Sequence, residues 1–99
     1  YKPVMLIGVS DTLGGTYPVA ELRMMVGKNT KAVIMPDHVI VRQSPEVLNS
    51  HEPTGEEEAE LHARFDYSLR VLIAAGAAFA DMRASGVCND REQGCRNGM

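Results

Sequence analysis

Val4 to Val9 is an apolar run with no polar face, Val-Met-Leu-Ile-Gly-Val. A strand of that kind has to be covered on both faces and hydrogen-bonded on both edges, as the inner strands of parallel sheets are. Ala32 to Met35 is a second short apolar run, closed by Pro36. Val39 to Val41 either extends it or forms a brief strand of its own.

Helical spacing follows each run. After a loop from Ser10 to Thr16, Val19, Leu22 and Val26 recur at three- and four-residue intervals, with Met25 beside them. Pro18 suits a first helical turn, and Gly27, Lys28 and Asn29 supply the stop signals. Gln43 to Gly55 reads as a surface loop. From Glu56 the chain predicts its longest helix, with Leu61, Phe65, Leu69, Leu72, Gly76 and Phe79 along one face. Thr54 is the candidate N-cap and Glu57 stands three residues on, as in a capping box. The helix should end near Ser85-Gly86, leaving residues 86–99 as a polar tail.

The order strand, helix, strand, helix gives an α/β fold with parallel strands in βαβα order. Two parallel strands are too few for an independent sheet. The other strands are expected from an N-terminal segment preceding Tyr1 or from a second copy of the chain. Residues 1–85 then form part of a larger α/β domain, and association with the missing half or self-association is expected.

Composition narrows the function. The 99 residues carry a net charge of −3 and no tryptophan, with no basic stripe interleaved with aromatics, which argues against nucleic acid. The apolar stretch Val71 to Ala80 is about half of the ~20 residues a membrane span requires. No secretion leader is visible, and two cysteines do not make a disulfide framework. Cytoplasmic residence is the expectation.

The segment that carries chemistry is Ser10-Asp11-Thr12-Leu13-Gly14-Gly15, between a buried strand and a helix. Ligands of open parallel sheets bind beyond the carboxyl ends of the strands. Glycines there allow close backbone approach to a flat ligand, and free N–H groups can donate to it. The spacing is neither G-x-G-x-x-G nor G-x-x-x-x-G-K-[ST], so neither standard nucleotide loop is present. A glycine-rich turn that binds nothing stays open as the plain alternative.

Lys2-Pro3-Val4 with its apolar strand, the Gly14-Gly15 loop, Ala20-Glu21-Leu22-Arg23, Val33-Ile34-Met35-Pro36 and the long last helix together resemble the C-terminal half of NADPH-dependent FMN reductases, of the flavodoxin-like superfamily. The resemblance covers about residues 2–85. It implies a partial flavodoxin-like three-layer fold. It also implies FMN as cofactor, with NAD(P)H as hydride donor and a flavin, quinone, azo compound or similar acceptor. By this likeness Ser10, Asp11, Thr12, Leu13, Gly14 and Gly15 border the isoalloxazine ring, and homo-oligomers are expected. The family's Ser/Arg-rich phosphate loop has no counterpart in these residues. The rival reading, from another class, is a non-catalytic α/β module that pairs with another chain.

Other residues have plainer readings. Cys88 and Cys95 read as free thiols, and a redox pair is the alternative. His38, His51 and His62 show no metal spacing and read as surface residues. Glu56-Glu57-Glu58 reads as a solvated helix start, and Met24, Met25 and Met35 as core filler. Arg23 and Arg42 could each meet a nicotinamide phosphate or a partner's acid, with exposed salt bridging as the plainer role. No nucleophile–base pair and no metal site is expected, since in flavin enzymes the cofactor carries the hydride.

Overall fold

The structure is a computed structural model and describes residues 1–27 and 30–89. The expected stop signals Lys28 and Asn29, most of the polar tail and Cys95 lie outside the described residues. The chain is mixed α/β, ordered β1 (Lys2–Val9), α1 (Thr16–Met25), β2 (Ala32–Val41), α2 (Glu56–Ala84). The two strands pair in parallel, consistent with the βαβα arrangement of a partial flavodoxin-like fold. A short 3₁₀ turn, Val87–Asn89, follows α2.

β2 is one strand of ten residues, with Val39 to Val41 as its continuation. Pro36 is tolerated because the ladder breaks there: Val4 pairs with Ile34, but Leu6 pairs with His38. Met35, Pro36 and Asp37 thus oppose Met5 alone, a bulge in which the missing N–H of proline costs no ladder bond. Both helices fasten this bulge. From α1, the Arg23 guanidinium donates to the Pro36 carbonyl at 2.6 Å. From α2, Arg64 donates to the Asp37 carboxylate at 2.9 Å. Arg23 therefore turns toward the sheet, half-buried, and not outward to a phosphate or a partner's acid.

The core is small. Leu6, Val19, Val39 and Val41 are the buried apolar side chains among the described residues. Met24 and Met25, expected as core filler, are exposed, as is Leu22. On α2 the covered stripe is also rotated from expectation. Leu69 is 43% exposed, and Ser68 takes the sheet-facing position at 2%. Its neighbours on that face are Glu58, Leu61, Phe65, Leu72, Gly76 and Phe79, all buried or half-buried at helical spacing. Leu69 and Ser68 lie on adjacent flanks of the helix, so sequence spacing alone favours the leucine.

Among the described residues each strand has one free edge. On β1, Ile7 and Val9 remain 46% and 60% exposed. α2 packs more on β1 than on β2.

Candidate functional site

β1 ends at Val9 and its parallel partner ends at Val41, so their following loops leave the sheet side by side. Three backbone hydrogen bonds join them: Ser10 N–H to the Val41 carbonyl (3.0 Å), Gln43 N–H to the Asp11 carbonyl (3.2 Å) and Ser44 N–H to the Ser10 carbonyl (3.3 Å). Gln43 holds a left-handed backbone, φ 51°, the turn that folds its N–H back to this neighbour.

The six candidate residues divide into two groups. Ser10 is half-buried and Gly15 buried, and both are structural. The Ser10 hydroxyl donates to the Thr12 carbonyl at 2.7 Å and so closes the loop on itself. Gly15 lies against Gly8 at the end of β1. A Cβ built on Gly8 would stand 2.1 Å from the Gly15 oxygen and 3.0 Å from Val19 Cγ2. This contact, which packs α1 onto the strand, requires glycine at position 8. Gly14 was the expected close-approach glycine, and it has open space around its Cβ position and no positive φ.

Asp11, Thr12, Leu13 and Gly14 are exposed. Their backbone N–H groups have no acceptor among the described residues. A cleft of about 340 Å³ opens beside them, lined by Asp11, Thr12, Leu13, Arg42, Gln43 and Glu57. A larger hollow of about 540 Å³ lies next to it, between the 43–55 loop and the start of α2, and shares Arg42, Gln43 and Glu57. The smaller cleft is the better candidate for a ring ligand because, of the two, it is the one lined by residues of this loop, Asp11, Thr12 and Leu13. Arg42, weighed from the sequence, lies in it; Gln43 and Glu57 were missed. The available signal was topological: residues just past β2 must meet the loop after a parallel neighbour.

Glu58 corrects the reading of a solvated helix start. Gly55 is the N-cap of α2, and Glu58, third into the helix, turns back behind it. Its carboxylate accepts from the Thr54 hydroxyl at 2.6 Å, the Thr54 N–H at 2.7 Å and the Leu48 N–H at 2.6 Å. The capping box expected of Thr54 and Glu57 does not form: the N-cap is Gly55, which has no side-chain cap, and Glu58 in place of Glu57 reaches back, to the residue before the N-cap. The Thr54 hydroxyl first, then the Thr54 and Leu48 amides, hold the Glu58 carboxyl down at about 2, against the opposing pull of burial. The charge stays in place and pins the 43–55 loop to α2.

His51 is exposed, whereas His38 and His62 are half-buried. His62 Nε2 stands 3.9 Å from Glu58. Cys88 is half-buried and has no disulfide partner among the described residues. Among the described residues, no group of three or more His, Cys, Asp or Glu side chains could hold a metal. No described helix is long and apolar enough to cross a membrane.

Fold and cleft together define an α/β chain with a ligand-sized opening at the carboxyl end of its parallel strands. No protein-family model matches the chain, and no curated protein or solved structure is significantly similar to it.

Proposed function

We propose that this chain is the ring-bordering portion of a flavodoxin-like, FMN-dependent NAD(P)H oxidoreductase that reduces a flavin, quinone, azo compound or similar acceptor. The observation that carries the reading is the run of four exposed residues, Asp11 to Gly14, just past the end of β1, whose N–H groups have no acceptor among the described residues. Donors so placed suit the carbonyl edge of a flat heterocycle and stabilise negative charge developing on it. The loop's fit is to the ring; no basic side chain of the Ser10–Gly15 segment suits a phosphate. Flavin bound there would supply hydride chemistry. The chain's own residues would hold and orient the ring: Asp11 to Gly14 through their amides, Ser10 by fixing the loop, and Arg42 and Glu57 from the cleft wall.

The test is an amide-shift titration of the chain with FMN, with adenosine monophosphate as the control. FMN should shift the Asp11 to Gly14 amides, with a dissociation constant on the order of 1 mM. The control should leave them unmoved. Shifts confined to other residues, or equal shifts with both ligands, would refute the assignment.

A second reading, a non-catalytic module that pairs with another chain, is favoured by the free edge of β1 and its exposed Ile7 and Val9. Flavin-induced shifts at Asp11 to Gly14 separate the two.

A further inference from the structure

We propose that the outward face of α2 pairs with the same face of a second copy of this chain, the two helices running antiparallel about a two-fold axis. The inference does not depend on the flavin reading, and the surface is not the open edge of β1.

Val71 to Ala80 holds no polar side chain. A helix that is apolar all round is ordinarily buried all round. Here the sheet covers one side, where Leu72, Gly76 and Phe79 are half-buried. The opposite side is bare among the described residues: Ile73 is 71% exposed, and Ala74, Ala77 and Ala78 are exposed. A helix turned to water would carry its charges on this side. Tyr67, Arg70, Ala74, Ala77, Asp81 and Ala84 follow one another at alternating three- and four-residue spacing, and all are exposed. That spacing draws one straight seam of the kind along which two helices pack.

The charges on the seam select the partner. Arg70 and Asp81 bracket the apolar turns. They stand about three helical turns apart, roughly 16 Å along the axis and within about 20° around it. A two-fold axis between them exchanges the ends of the helix. Arg70 of each copy then meets Asp81 of the other, Ala74 meets Ala77, and Ile73 lies over Ala78. A parallel pair would instead set Arg70 on Arg70 and Asp81 on Asp81. The face is thus self-complementary in one orientation only, as an isologous interface requires. Asp81 makes no ion pair among the described residues. Arg70 has only its own helix neighbour Asp66, at 2.9 Å, with both side chains about 70% exposed, and so can take a second carboxylate.

Sedimentation equilibrium of the whole chain at micromolar concentration tests this. Arg70→Asp and Asp81→Arg should each weaken self-association roughly tenfold, since each turns two exposed attractions per dimer into two repulsions. The double variant Arg70→Asp, Asp81→Arg should recover the native association, because both ion pairs re-form with their ends exchanged. An equimolar mixture of the two single variants should associate more tightly than either alone. Recovery in the double variant and in the mixture separates lost pairing from lost folding, and pairing through the β1 edge cannot imitate this pattern. A monomeric native chain, single variants that associate as the native chain does, a double variant no better than the singles, or a mixture no tighter than its parts would overturn the proposal. Unchanged single variants are also the result expected if a different protein or a lipid surface covers the face.

Discussion

Replacing Gly8 by alanine should be the most damaging single-methyl change in this chain. The added Cβ would lie 2.1 Å from the Gly15 oxygen and 3.0 Å from the Gly15 carbonyl carbon. Both are backbone, so no rotamer change relieves the contact. Restoring ordinary carbon–oxygen separation needs a movement of roughly 1 Å between the end of β1 and the start of α1, because close-packed interiors yield little. Overpacking of this kind costs about 1–3 kcal/mol, and a backbone clash belongs at the upper end. At about 3 kcal/mol the folding equilibrium falls roughly 150-fold. Val19 Cγ2, also 3.0 Å away, belongs to one of the four buried apolar side chains among the described residues, so the small core has little reserve. Urea unfolding followed by circular dichroism would measure the loss, with the slope compared to separate stability from compactness. Gly14→Ala is the matched control: its Cβ would meet nothing within 4 Å, and a near-neutral effect is expected. If Gly8→Ala lies within about 0.5 kcal/mol of the native chain, the ordinary range for surface changes, the tight Gly8–Gly15 contact is wrong.

Glu58 predicts an acid limb. Its folded value of about 2 lies below the ordinary 4.5, so the stability it contributes is complete above about pH 4.5 and is lost as pH falls through about 2. Glu58→Gln should flatten that limb in pH-dependent thermal melts; an unchanged limb would refute the assignment. Ser68→Ala should be neutral or stabilising by up to about 1 kcal/mol, because the buried hydroxyl has no partner among the described residues. A clear loss in urea unfolding would reveal a bond the structure does not show. Finally, the chain should sediment at micromolar concentration as a self-associated species, and lysine at Ile7 and Val9 should shift it toward monomer. A compact native monomer that unfolds cooperatively would contradict the incomplete-sheet reading.

Strand and helix identity were legible because they rest on local pattern. The apolar runs around Leu6 and Val39 have no polar face, and the repeat from Leu61 to Phe79 fits a helix and not a strand. The parallel arrangement followed from the alternation of strand and helix, and with it the location of the Ser10–Gly15 loop at the carboxyl end of the sheet. Tertiary structure decided what depends on distance between residues far apart in sequence. Which of Ser68 and Leu69 faces the sheet is a matter of one helical step, settled by how α2 docks. Gly8 is constrained by Gly15, seven residues on, and not by its own turn. Arg23 reads as a free surface cation until β2 brings Pro36 and His38 within reach of it. Glu58 reads as one of three solvated carboxylates until the 43–55 loop folds back and supplies three donors. Periodicity reports which way a side chain points within its own element. What it meets there is set by packing between elements, and local pattern holds no record of that.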